Sequence, residues 1–333
     1  MDRHGSAEQR WGTLLNNPVW DLGNFDRAAA PFCGFSPVYD DSQKAAALAL
    51  VDQFANGTGT WGNKCAWKHI DKVAFAAGLR DRIKEPDDIN QAGTPLCGPA
   101  SFTRAVAKTQ PLAYARAACD LYATGAAQIG NLKFKAGREL LGAMIPAAAG
   151  DSNGPMNPAD WTMLCALRDD DNWFLSPAGW FSPAGPFPDA AGITTPHTVE
   201  RWLRESGFTD ILNMTYLFFQ PKNVNFVVEL EAANHRLMDG SFVFLFIDSD
   251  MLYWNKQTGH SFTPDHWVTL TAAFVKNQKS SHLTEITPTD TLNFTVYSWG
   301  EGHRQVPQVP YIPLTEERFL AKYYGFVAAR WVY

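Results

Sequence analysis

A chain of 333 residues, 46% hydrophobic and 19% charged, has the make-up of an ordinary globular protein built as one large domain or one domain with an elaboration. Its net charge of -6 and the lack of any Lys/Arg run argue against a surface that tracks phosphates, so nucleic acid is not an expected partner. No apolar stretch reaches the roughly 18 residues of a membrane span, and the opening "MDRHGSAEQRWG" has no apolar segment of the secretory kind. The expected location is therefore cytoplasmic, with export without a cleavable signal left open. The five cysteines, Cys33, Cys65, Cys97, Cys119 and Cys165, are odd in number and form no C-x-x-C pair. They read as free thiols rather than as a disulfide framework or a zinc knuckle, and no metal or cofactor is expected. The 12 Trp and 22 Phe point to an aromatic interior or a ring-lined groove.

Residues 1–41 carry no sustained period and read as an irregular wrapping segment. "SQKAAALALVDQFANG" predicts a helix capped by Ser42 and stopped at Gly57. "KHIDKVAFAAGLRDRI" predicts a second, with Ile70, Val73, Phe75 and Leu79 on one face and Pro86 closing it. "GPASFTRAVAKT" and "QPLAYARAACDLYATG" predict two consecutive helices, with Pro99 in the first turn of one and Pro111 opening the next. Residues 146–196 are dense in Pro, Gly and Trp, which suggests a long ordered loop layer holding one helix near "PADWTMLCALRDD". "TPHTVERWLRESGF" reads as a helix capped by Thr195 and ended by Gly207, and "NVNFVVELEAANHRLMDG" as another ending at Gly240.

Beyond Gly240 the period changes. "SFVFLFI", "HWVTLTAAFV", "LNFTVYSW" and "YGFVAARWVY" are β-branched and aromatic runs, the pattern of an antiparallel sheet. Helices first and strands second predict an α+β fold with a groove between the two layers. The acidic "DDIN" and "RDDDN" read as solvated turns.

One stretch carries chemistry. "QAGTPLCGPASF" places Cys97 at a predicted helix start, with Gln91 six positions before it. Unpaired N–H groups and the positive end of the helix dipole favour a thiolate there. Acyl chemistry also needs a base and oxyanion donors. The base is His266, at the head of a strand whose alternation sets His266, Val268 and Leu270 against Trp267, Thr269 and Thr271, and so turns the imidazole toward the Cys97 helix. His197, His235, His260 and His303 are less well placed. The Gln91 amide is the candidate oxyanion donor. Fast reaction of Cys97 near neutral pH is the expectation, and the other cysteines read as small buried hydrophobes.

These motifs resemble the papain-like cysteine peptidase superfamily. "QAGTPLCGPAS" matches the family's Gln-to-Cys interval and is similar to its bacterial members, "GHSFTPDHWVTLT" resembles the His strand, and "YSWGEG" resembles the "NSWG" segment that carries the third residue. The family's Asn or Asp is replaced here, by Tyr297 in one comparison and by Ser298 in the other. Strand alternation sends the two to opposite faces, and Ser298 is the one small enough to sit behind His266. The resemblance implies a papain-like domain over 86–333, with a loop-rich insertion at about 146–196 and an extension over 1–85. It implies cysteine-dependent hydrolysis of a peptide or side-chain amide, in the manner of a protease, amidase, deamidase or transglutaminase. It also suggests a bacterial effector or toxin with a secretion-system or immunity-protein partner. The other reading is a catalytically inactive scaffold of the same shape that binds a protein.

Overall fold

The structure, a computed structural model, describes residues 41–145, 156–171, 194–216, 226–252, 264–277, 283, 286–287, 289–306 and 314–332. By packing, the chain divides into Met1–Gly34 and Phe35–Tyr333, and all described residues belong to the second unit. Residues 1–40 of the wrapping segment expected over 1–41, the aromatic loops of residues 172–193, Cys33 and His260 lie outside the described residues.

Four helices come first: α1 (Asp41–Ala55), α2 (Lys72–Lys84), α3 (Cys97–Thr109) and α4 (Pro111–Thr124). Ser42 is not the cap expected of it, because α1 already includes Asp41 and Ser42 lies in its first turn. In α2 the buried face is Phe75, Leu79 and Ile83 at intervals of four, with Asp71 as the N-cap accepting from the Ala74 N–H. Val73 is 77% exposed, so it drops out of the predicted stripe. Every residue of α3 is buried. That helix is the hub of the layer, and its small residues Gly98, Ala100, Ser101 and Ala105 allow close packing on all sides.

A short hairpin, β1 (Ala126–Ile129) and β2 (Leu132–Lys135), follows α4, then α5 (Arg138–Leu141), α6 (Pro158–Asp171) and α7 (Pro196–Glu205). Thr195 caps α7 by accepting from the Thr198 N–H. Residues 41–85 are no separate extension. Phe54, Phe75 and Leu79 share one core with Phe102, Tyr114, Trp161 and Trp202.

Strands β3 (Thr209–Asn213), β4 (Phe242–Ile247), β5 (His266–Lys276), β6 (Leu292–Ser298), β7 (Glu301–Val306) and β8 (Tyr323–Arg330) form one antiparallel sheet in the order β3-β8-β4-β5-β6-β7. The fold is α+β, but the two-layer expectation needs correction. Helix α8 (Phe226–Met238), with the short α9 (Glu316–Leu320), covers the far face of the sheet. Phe242, Phe244, Phe246 and Trp267 pack on the helical layer, whereas Val243, Leu245, Ile247, Val268 and Leu270 pack with Leu230 and Ala233 of α8. Burial on both faces explains why "FVFLFI" shows no polar alternation.

The loop between α2 and α3 is clamped from several sides. Asp160 receives Arg82 at 2.8 Å and the Asn90 N–H at 3.1 Å. Asp87 receives Arg104 at 2.6 Å and Lys108 at 2.8 Å, and the Tyr297 hydroxyl donates to the Ile89 carbonyl. The Arg104 guanidinium also lies 4.5 Å over the Tyr297 ring. "DDIN" is thus a paired, partly buried segment rather than a solvated turn. "RDDDN" is no solvated turn either, since Arg168 is buried, Asp169 accepts from the Gly137 N–H and Asp171 pairs with Arg201. One buried carboxylate between two helices and one ion-pair triad fix the segment that delivers Gln91 and Cys97.

Candidate active site

Cys97 is the first residue of α3 and only 3% exposed. Its thiol donates to the Asp265 carbonyl at 3.9 Å, and its sulfur is approached by the N–H groups of Trp267, Gly98 and Cys97 itself. The sulfur therefore sits against the backbone on either side of His266. Burial pushes the thiol up to about 11; the three N–H groups pull it down and the Asp265 carboxylate pushes it further up. The helix start acts in the expected sense, yet desolvation outweighs it. The expectation of a thiolate-rich Cys97 near neutral pH is corrected accordingly.

His266 is 4% exposed and bonds through Nε2 to Ser298 Oγ at 2.9 Å. Its ring stacks on Trp299 at 4.4 Å and 16°, and the Arg304 guanidinium lies 5.1 Å over the same indole. Burial, and then Arg304, hold the imidazole down to about 3. The alternation of β5 is real but opposite in sense to the expectation: Trp267 takes the face toward the helical layer, and Val268 and Leu270 turn toward α8. The imidazole leaves the strand at its very start, on the side of Ser298 and Trp299, while the backbone flanking it meets the thiol. With Nε2 committed to Ser298, Nδ1 is the ring nitrogen left to take a proton. That role requires the tautomer in which Nε2–H donates to Ser298.

Burial raises the Cys97 thiol and lowers the His266 imidazole, so both shifts run against charge separation. The resting pair is a neutral thiol and a neutral imidazole.

"YSWGEG" forms the β6–β7 turn, with Ser298 paired to Glu301 across Trp299 and Gly300. Both central residues have positive φ, 49° and 77°. This is the geometry that a two-residue hairpin demands and that Asn-Gly usually fills. A tryptophan held there stores about 1–3 kcal/mol of backbone strain, and the stack on His266 is the contact that repays it. A Cβ on Gly300 would lie 3.0 Å from Asn90 Nδ2, so the turn also leans on the loop before Cys97.

Tyr297, the other candidate third residue, faces away from the imidazole, toward Ile89 and Arg104. The Gln91 amide donates to the Thr94 carbonyl at 2.9 Å. One of its two amide hydrogens is thus engaged within its own loop.

Two neighbours carried no sequence signal. Thr194, fully buried, packs flush on Gly98: a Cβ on that glycine would lie 2.5 Å from both Thr194 Cβ and Oγ1. Its carbonyl accepts from Trp267 Nε1 at 2.7 Å. Arg168 of α6 is also buried, which lowers its pKa to about 10; the Asp171 carboxylate opposes that shift, as the Cys97 sulfur would when ionised. A buried cation therefore stands near enough for a thiolate at Cys97 to feel it. Among the described residues no cluster of His, Cys, Asp and Glu is placed to hold a metal ion, and no helix is long and apolar enough to cross a membrane.

No family model matches the chain, and no curated protein or solved structure matches it.

Proposed function

We propose that the chain is a papain-like, cysteine-dependent hydrolase acting on a peptide or side-chain amide. The observation that carries this is the seating of the Cys97 sulfur, at the start of a buried helix, on the backbone that flanks a Ser298-bonded imidazole. Sγ attacks the carbonyl carbon as the thiol proton passes to His266 Nδ1. The carbonyl electron pair moves to oxygen, beside the N–H groups at the start of α3. Collapse expels the amine, which takes the proton from His266, and water hydrolyses the thioester with His266 as base.

Because the resting pair is neutral, charge appears only when substrate oxygen accepts it. Ser298 orients the ring without adding an anion, so imidazolium receives less support than a carboxylate would give. An effector or toxin role, with a partner that delivers or neutralises it, fits this reading.

Turnover of a panel of fluorogenic peptide amides tests it. Cys97→Ala and His266→Ala should each abolish hydrolysis while the chain keeps the far-UV spectrum of the parent, with His266→Ala melting lower for the loss of the Ser298 bond and the Trp299 stack. Hydrolysis that survives Cys97→Ala would overturn the assignment.

The same neutral, closed pair also favours an inactive scaffold that binds a protein partner. Peptide mapping after exposure to a peptide chloromethyl ketone separates the two: the hydrolase carries an adduct at Cys97, and the scaffold reacts only at exposed thiols such as Cys65.

A further inference from the structure

We infer that the Thr194 hydroxyl is an oxyanion donor of this site, beside the Cys97 N–H and Gln91; the inference rests on the hydrolase reading. Thr194 is 0% exposed, and its Oγ1 has no hydrogen-bond partner among the described residues. A buried hydroxyl left unmade is a standing cost that native structures rarely carry without a use.

Its position supplies the use. The side chain rests on Gly98, the residue after the nucleophile, with Oγ1 2.5 Å from where a Cβ would stand. It thus lies at the opening turn of a thirteen-residue helix, where the unpaired N–H groups and the positive dipole end favour negative charge.

Trp267 fixes this arrangement from both ends. Its indole N–H holds the Thr194 carbonyl at 2.7 Å, its backbone N–H reaches the Cys97 sulfur, and its ring stacks on Phe246 at 4.5 Å. The Thr194 backbone and the sulfur are therefore held by one rigid residue, which is the preorganisation that an oxyanion site needs. The nearby Arg168 cation adds to the field without needing to touch the oxygen. Gln91 has already given one amide hydrogen to Thr94, whereas the Thr194 hydroxyl is wholly unspent. An oxygen that becomes negative on attack by Cys97 is the ligand this hydroxyl lacks.

The test compares two reactions of Cys97 that differ in one respect. With p-nitrophenyl acetate, Sγ adds to the carbonyl, the oxygen takes the electron pair, and collapse releases p-nitrophenolate and leaves an acetyl thioester. With iodoacetamide, Sγ displaces iodide and no oxyanion forms. Rates are read at Cys97 by peptide mapping, so that other thiols do not interfere.

Thr194→Val should slow acetylation by about 100-fold, as loss of one oxyanion donor does elsewhere, with alkylation unchanged, with a melting temperature equal to or above the parent's because the unpaired hydroxyl is gone, and with Thr194→Ser restoring most of the rate. Equal acetylation of Thr194→Val and the parent would overturn the inference while leaving Cys97 as nucleophile. Equal slowing of both reactions would overturn it as well, making Thr194 a packing residue. A parent Cys97 that alkylates but never acetylates would overturn the hydrolase reading along with it.

Discussion

Acidification should expose the burial of His266 directly. The imidazole is held at about 3, against an ordinary value of 6.5, by burial and then by Arg304. The folded state thus binds this proton less readily than the unfolded chain. The resulting stability is present in full above pH 6.5 and is lost as pH falls from 6.5 toward 3. At 1.36 kcal/mol per pH unit the whole effect is about 4–5 kcal/mol, a large part of the roughly 5–15 kcal/mol by which a domain is stable. His266→Gln removes the titration and keeps a polar group for Ser298. Urea unfolding at pH 7, 6, 5 and 4 should show the parent losing stability more steeply than the variant, with the curves diverging below pH 6.5. Asp160, raised to about 6, and Glu229, raised to about 8, both by burial, are linked to pH in the opposite sense. Both proteins carry them, so they cancel in the difference. Parallel curves from pH 7 to 4 would refute the reasoning, since they would mean that the folded protein protonates His266 as easily as the unfolded chain does.

Cys97, raised from 9.0 to about 11, should carry about 100-fold less thiolate at neutral pH than an ordinary cysteine. Iodoacetamide should therefore modify the exposed Cys65 first, and a Cys97 rate that levels off below pH 8 would point instead to a thiolate–imidazolium pair. Ser298→Ala should lower turnover by less than His266→Ala, because a hydroxyl orients the ring and adds little charge. Ser298→Asp, with an anion beside Nε2, should raise the His266 pKa and narrow the acid-dependent loss of stability; an unchanged pH dependence would show that the new carboxyl stays protonated. Gly98→Ala brings a Cβ within 2.5 Å of Thr194, an overpacking worth about 1–3 kcal/mol that exceeds the ~1 kcal/mol gain in helix propensity. Thermal unfolding should show a net loss, and an unchanged melting temperature would mean that Thr194 can move aside.

The helices with end signals were legible because those signals are local. Thr195 caps α7, and Gly207 follows it in the left-handed region at a φ of 98°; Gly240 does the same after α8 at 84°. The faces of the sheet were not legible. A strand covered on one side alternates polar with apolar, and that contrast tells which way each residue points. Here α8 covers the second side, so Phe242–Ile247 is apolar throughout, and nothing in "HWVTL" says whether His266 or Trp267 faces α3. The β1–β2 hairpin went unread for another reason: its strands have four residues each, too few to establish a period. Its signal was the Gly130-Asn131 turn, with Gly130 at a φ of 56°.

The site divides along the same line. Cys97, His266 and Ser298 stand at a helix start, a strand start and a strand end, positions that turn signals and periodicity can locate. Thr194 and Arg168 come from other segments and approach the start of α3 only through packing, which no local pattern records. The distinction has a chemical consequence. Among the residues readable in sequence, the Cys97 thiol and the His266 imidazole are both neutral at rest, because burial raises the one and lowers the other. Groups already satisfied at rest, such as the Gln91 hydrogen on Thr94, must break a bond before they can help the transition state. A hydroxyl held without a partner breaks none, so all of its hydrogen bond is realised only as the oxyanion forms. The more closed and neutral the resting site, the more of the rate must rest on donors of that kind.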